Sequence, residues 1–293
     1  LDTRFLASLV AVVETGSIAG AARQQNLTPA AIGQRIRALE DELKVNLLSR
    51  AGHSAKPTAD CLRIIPRLKK IIAESDALQF DLSDDIAGKL RIGTIATALT
   101  SYFPTLLQHL SQQYPSLLPQ IVPGSAPQLF EQLTQGNLDM AVTVCPPFKY
   151  PKFIRELSLY QEPLVLLYHP ALHAEAASQN LQVTLAQLPY IEYDKQAWGG
   201  KIAAEYLKKY HLKPQKVCAI DALDSIALMV KMGMGVSLVP HWQGLKDNFP
   251  ELATIAINDA HYTRHIACFS HRQSGKEGLI TAVEKALQEC LPV

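Results

Sequence analysis

Residues 17–40, SIAGAARQQNLTPAAIGQRIRALE, constrain the fold of this chain more than any other stretch, because they read as two short helices joined by a tight turn. Ser17 can accept the unpaired N–H groups that open the first helix, and Ala21 and Ala22 are small enough to let a second helix approach. A turn follows at Asn26. Thr28 then stands as an N-cap with Pro29 at the first helical position, where its fixed φ helps and its missing N–H costs nothing. Ile32, Ile36, Leu39 and Leu43 fall at i, i+4, i+7 and i+11, a stripe that must face a core. The opposite stripe is Ala30, Gly33, Gln34 and Arg37: small residues at the start, then a Gln suited to a base edge and an Arg suited to a base or a phosphate. Taken alone, the pair reads equally as a DNA-reading helix-turn-helix or as an ordinary amphipathic hairpin whose polar face is solvated.

The flanking residues decide between those two readings. Upstream, Phe5, Leu6, Leu9, Val10 and Val13 form a helical stripe that completes a three-helix core. Downstream, Leu47 to Arg50 run into AGHSAKPT, a polar, turn-bearing segment suited to a small β wing, which brings Arg50, His53 and Lys56 to the nucleic-acid side. Residues 1–70 hold eleven Lys and Arg against six Asp and Glu, whereas the whole chain of 293 residues carries a net charge of only +1. The basic surplus is local, as counterion-release binding to phosphates requires.

Residues 58–87 follow, with Cys61, Ile64, Leu68, Ile71, Ser75, Leu78 and Leu82 spaced alternately three and four apart. That is the spacing of a coiled-coil seam. Such a stripe can pack on its own domain, but between two globular regions it is best satisfied by the same helix of a second copy. Pairing of that kind also supplies the two-fold symmetry of paired DNA half-sites.

From Gly88 the pattern changes to alternating strands and helices. KLRIGTIA, PQIVPG and LDMAVTV read as strands separated by the helices SYFPTLLQHLSQQYP and APQLFEQLTQGN, which predicts a parallel sheet flanked by helices. PLVLLYHP, PYIEYD, KIAAEYLKKYHL, KVCAID, LDSIALMVKMGM and GVSLVP repeat the alternation, and ACFS with KEGLITAVEKALQEC closes it. Two small α/β lobes with a cleft are expected, the plan of periplasmic-type binding domains. Ligands of such sheets sit near the carboxyl ends of strands and the starts of helices. Thr94, Thr97, Thr100, Ser125 and Thr143 place hydroxyls there. Gly233 and Gly235 in GMGV read as a helix-to-strand turn rather than a phosphate cradle.

The first 61 or so residues resemble the DNA-binding domain of the LysR-type transcriptional regulators, from LVAVVETGSI through AARQQNLTPAAIGQRIRALEDEL to LLSR and the PT of the wing. Pro29 and Gly33 stand where that family often has Gln and Ser, and Asp60 and Cys61 replace its common Ala and Gly. GKLRIGT, QGNLDMAV and GMGVSLVP resemble pieces of the family's effector domain. The resemblance implies a winged helix-turn-helix over residues 1–60, a linker and dimerisation helix over 61–87, and a two-lobed, periplasmic-binding-protein-like α/β domain over 88–293. It implies DNA contacts from Thr28, Pro29, Ala30, Gly33, Gln34, Arg37, Arg50, His53 and Lys56. Pocket roles carry over to Thr97, Ser125, Thr143, Trp198 and Gly199, with Thr94 and Thr100 beside them. The implied partners are double-stranded operator DNA, a small-molecule co-inducer such as a small carboxylate or amino acid, and further copies of the chain, as a homodimer or homotetramer.

Catalytic and metal chemistry find no foothold. The five cysteines, Cys61, Cys145, Cys218, Cys268 and Cys290, show no C-x-x-C spacing, which points to reduced thiols in a cytoplasm rather than a disulfide framework. Cys145, at the end of a strand near the cleft, is more simply an inert thiol than a redox sensor. His261, His265 and His271 lack zinc spacing, no G-x-S-x-G, H-E-x-x-H or P-loop occurs, and neither a secretory segment nor an apolar run of membrane-spanning length is seen. A non-enzymatic regulator without cofactor or metal is therefore expected. The alternatives are a transport-type binding protein or enzyme that acquired a DNA-binding head, and an architectural DNA protein whose lobes serve only assembly.

Overall fold

The computed structural model describes residues 1–51, 54–81, 86–173, 180–272 and 274–291. The chain divides into two compact units, the first built mainly from Leu1–Ile86 and the second mainly from Ala87–Thr134 and Leu138–Gln273.

The first unit opens with α1 (Thr3–Thr15), capped by Asp2, whose carboxylate accepts the Arg4 N–H at 2.9 Å. Gly16, at φ 68°, stops the helix in a left-handed conformation that a side chain would strain. Ser17 caps α2 (Ile18–Gln24) by accepting the Gly20 N–H at 3.0 Å, and Thr28 caps α3 (Pro29–Leu43) by accepting that of Ala31 at 3.2 Å. The apolar stripes then do the packing. Val12, Ala21, Ala22, Ile32 and Ile36 are buried together, and Leu6, Leu9, Leu39 and Leu47 form a second cluster. Glu40 holds the exit from α3 by accepting the N–H groups of Leu47 and Leu48 at 2.7 and 3.0 Å. The wing is an antiparallel hairpin of β1 (Leu48–Ala51) and β2 (Ser54–Pro57).

Helix α4 (Ala59–Asp81) begins two residues ahead of the expected position 61, because Thr58 caps it by accepting the Cys61 N–H at 3.1 Å. The expected seam divides. Cys61 and Leu68 are buried in the same cluster as Leu6 and Leu9 of α1, with Ile64 packed against it, so these positions are satisfied within the domain. Ile71 is 36% exposed, against 5% for Leu68. The side chain of Leu78 and all of Leu82 lie outside the described residues.

The second unit contains β3 (Gly88–Thr94), α5 (Ala96–Leu99), α6 (Phe103–Gln113), β4 (Leu117–Pro123), α7 (Ala126–Thr134), β5 (Met140–Val144) and β6 (Ile154–Tyr168). After these come α8 (Leu181–Gln187), β7 (Tyr190–Tyr193), α9 (Trp198–Lys209), β8 (Lys216–Ile220), α10 (Leu223–Lys231), β9 (Ser237–Pro240), α11 (Leu245–Asn248), β10 (Ala253–Ala256), β11 (Thr263–His271) and α12 (Glu277–Cys290). The order β4-β3-β5-β11-β6 makes one lobe. Only β3, β4 and β5 are mutually parallel; β11 runs antiparallel to both β5 and β6, so the sheet is mixed rather than purely parallel.

The 15-residue β6 belongs to both lobes. Its first part, through Pro163, pairs with β11, while Leu164–Tyr168 pairs with β9 and β10. A bridge between Tyr190 and Val236 joins β9 to the parallel pair β7 and β8, completing the second lobe's strands. Leu166, Tyr190, Tyr206 and Leu238 fill one side of that lobe, and Leu167, Ile191, Ile226 and Trp242 the other. The GMGV turn, expected to be structural, leads from α10 into β9: a methyl group on Gly235, at φ 148°, would lie 2.2 Å from the Pro189 carbonyl oxygen.

Candidate functional site

The exposed side of α3 carries the first candidate surface. Thr28, Pro29, Ala30, Gln34 and Arg37 are exposed, and Gly33 is half-exposed with open space where a side chain would project. The buried Ile32, Ile36 and Leu39 fix which side faces outward, and Ala21 and Ala22 let α2 pack closely enough to brace it. Lys56 is exposed on β2. His53 and the side chain of Arg50 lie outside the described residues.

The second candidate is a cavity of about 320 Å³ between the two lobes of the second unit. One wall comes from the first lobe, with Thr97 at the α5 turn and Ser125 just before α7. The facing wall comes from the second, with Tyr193, Trp198, Gly199 and Asp221. Thr97, Ser125, Trp198 and Gly199 thus meet at one place. The other three expected pocket residues stand off this lining. Thr94 and Thr143 are fully buried within β3 and β5, and Thr100 turns its hydroxyl to the Asp224 carboxylate of α10 at 3.1 Å.

Helix starts dominate the lining. Helices α9 and α10 have Ala197 and Ala222 as N-caps, and neither makes a side-chain capping bond. Their first N–H groups are therefore left for another acceptor, and both starts border the cavity. Alanine at two consecutive N-cap positions is a sequence signal that pattern reading passed over.

Arg264 of β11 is the chief residue that sequence reading missed. It is 3% exposed and also lines the cavity. Its Nε donates to Glu162, its register partner on β6, in a short ion pair, and its Nη2 donates to the Thr97 hydroxyl at 3.4 Å. Burial disfavours the charged guanidinium, but Glu162 outweighs it, and the guanidinium is held protonated above its usual range. Because the Thr97 oxygen already accepts from Arg264, its own O–H is free to donate to a ligand. The nearby Tyr193 hydroxyl is pushed up by burial, against the pull of Arg264, and stays protonated. Across the cleft, Trp198 stacks edge-on to Phe130 and Phe148 at 6.0 and 5.6 Å between ring centroids, so it ties the second lobe to the first.

This lining offers donors for binding and no nucleophile with a base beside it. Cys145 is not part of it, and burial together with Glu156 pushes that thiol up to about 12. Burial and Glu40 raise Cys61 to about 11, and all five cysteines are free. Thiols held so far above neutrality are poor redox sensors. Among the described residues no group of His, Cys, Asp and Glu has the arrangement of a metal site, and no single helix is long and apolar enough to cross a membrane.

A winged helix-turn-helix and a two-lobed binding domain with a cavity between its lobes define a ligand-responsive DNA-binding protein. The family models agree: residues 3–62 match the bacterial regulatory helix-turn-helix protein, lysR family, and residues 83–290 match the LysR substrate binding domain. The chain belongs to the LysR family of transcriptional regulators. It is similar to the HTH-type transcriptional regulator CzcR of Bacillus cereus, with 25% identity over 92% of this chain and 96% of that one. A probable hydrogen peroxide-inducible genes activator of Mycobacterium leprae is 28% identical over 80% of this chain and 76% of its own length. Among solved structures, a full-length OxyR variant from Pseudomonas aeruginosa superposes with a TM-score of 0.73 at 17% identity, over 99% of this chain and 95% of that one.

Proposed function

We propose that this regulator works in the cytoplasm as a homo-oligomer without catalysis, reading operator DNA with the outer side of α3 and the wing, and responding to a small polar metabolite that carries a carboxylate and is held between its lobes. The observation that carries this reading is the meeting of Thr97, Ser125, the guanidinium of Arg264 and the uncapped starts of α9 and α10 around one small cavity. A ligand there touches both lobes at once. It therefore favours the lobe arrangement in which both sets of contacts can form, and a population shift of that kind is what couples binding to transcription.

The DNA half of the reading rests on Gln34. Gln34→Ala is expected to relax base preference at one position per half-site, by about 1 to 3 kcal/mol for a bidentate contact, while leaving binding to unrelated DNA unchanged. Gel-shift titrations on operator and unrelated DNA check this. Equal losses on both would remove the base-reading role and leave Gln34 a phosphate contact.

The oligomer rests on the outward part of α4. With Leu68 engaged by α1, Ile71 is the seam position left most open among those described, and a pair of Lys residues there would set like charges across a two-fold axis. Sedimentation of Ile71→Lys is expected to show a smaller species than the wild type. An unchanged oligomer would move the interface to another surface, such as the effector domains through which a homotetramer would form.

A further inference from the structure

The charges around the cavity restrict its ligand further than the reading above, on which this step rests. Arg264 brings one positive charge, but Glu162 is already in contact with it and cancels it. Asp221, between β8 and α10, stands exposed on the facing wall. The balance of Arg264, Glu162 and Asp221 is thus one negative charge, beside hydroxyl and N–H donors suited to an anion. A simple carboxylate would gain the donors and meet the uncompensated Asp221. A molecule with a carboxylate and an ammonium would satisfy both walls.

The remaining lining sets the rest of the molecule. Ile95, Pro123, Val144, Ala197 and Leu223 are apolar, and the lining offers no other charged side chain to pair with one on the ligand. A volume of about 320 Å³ is at the small end for ligand pockets. We infer that the cavity takes an α-amino acid with an uncharged side chain, its carboxylate on Thr97, Ser125 and the edge of Arg264, and its ammonium on Asp221. The state of Asp221 fits. Desolvation at the cleft wall and the neighbouring Asp194 push its carboxyl up while Arg264 pulls it down, so a cation seated there would relieve the repulsion between the two aspartates.

The test uses the full chain and three matched panels: the proteinogenic L-α-amino acids, the 2-oxo acids that lack the ammonium, and the amines that lack the carboxylate. Thermal shift finds the binder and calorimetry measures it. At least one amino acid with an uncharged side chain should raise the melting temperature, and its 2-oxo acid and amine should bind at least tenfold more weakly. Asp221→Asn, an exposed change that leaves the fold intact, should weaken the amino acid by tenfold or more and spare or improve the 2-oxo acid. If a 2-oxo acid binds better than every amino acid, and loses binding in Thr97→Val, the zwitterion inference fails while the cleft reading stands. If an amino acid binds equally well to wild type, Asp221→Asn and Thr97→Val, the cleft itself is misassigned. A blank across all three panels overturns the inference as well.

Discussion

Glu162→Gln is expected to lower the unfolding free energy by about 3 to 5 kcal/mol, the cost of leaving a buried guanidinium without its counterion. The side chains of Glu162 and Arg264 are 1% and 3% exposed, so water cannot take the place of the lost carboxylate. The substitution keeps the shape of the side chain and removes only the charge. The double variant Glu162→Met with Arg264→Leu should regain most of the lost stability, since an apolar pair of similar volume carries no desolvation cost. It should not regain ligand binding, because Thr97 would stand without its cationic neighbour. Urea unfolding of the wild type and these two variants separates these contributions. A loss below about 1 kcal/mol for Glu162→Gln would place the pair in the class of solvated surface ion pairs.

Gly200→Ala is expected to cost about 3 kcal/mol, the upper end for overpacking a well-filled site, and to abolish ligand response in whatever fraction remains folded. A methyl group on Gly200 would lie 2.0 Å from the Asp194 carbonyl oxygen, and that oxygen also accepts the Ala197 N–H at 2.9 Å. Backbone must therefore move, and what moves is the start of α9 with Trp198 and Gly199. The neighbouring Gly199 offers the contrast. There a methyl group would meet the Tyr193 ring and hydroxyl at 2.8 to 2.9 Å, side-chain atoms that can yield, so Gly199→Ala should be milder. Thermal unfolding of both variants ranks them, and an equal ranking would mean that the Asp194 turn adapts freely.

What the sequence disclosed depends on the range of the interactions involved. Caps are local: Ser17 to Gly20 and Thr28 to Ala31 each span three residues, so the helix starts of the DNA-binding unit could be read directly. Thr97 and Ser125 are legible for the same reason, since each sits where a strand gives way to a helix. Thr94 and Thr143 look alike in the sequence but lie inside strands covered on both faces. There the two-residue alternation that would tell cavity-facing from buried positions is lost. Arg264 could not be found because its partner is 102 residues away and only the register of β6 against β11 brings them together. The linker stripe illustrates a different limit. An apolar heptad states that a partner exists without naming it, and α1 of the same chain takes Leu68 before another copy can.

The division of β6 between the lobes has a consequence for how this architecture can change over time. The strand enters the second lobe at Leu164, and the chain leaves it at Ile257, whose N–H reaches the Leu164 carbonyl at 3.3 Å; the Leu164 N–H in turn reaches the Tyr262 carbonyl at 2.8 Å. Topologically, residues 164–257 are a single insert whose two ends touch. Inserts of that kind can be exchanged between homologous chains without re-threading the host. Half of the cavity's surroundings, including Asp221, Trp198 and the two uncapped helix starts, travels with the insert, while Thr97, Ser125 and the Glu162–Arg264 pair stay behind. New cavity linings can thus arise by recombination at one seam, with the host lobe and its Thr97, Ser125 and Arg264 held constant and the opposing wall replaced as a module.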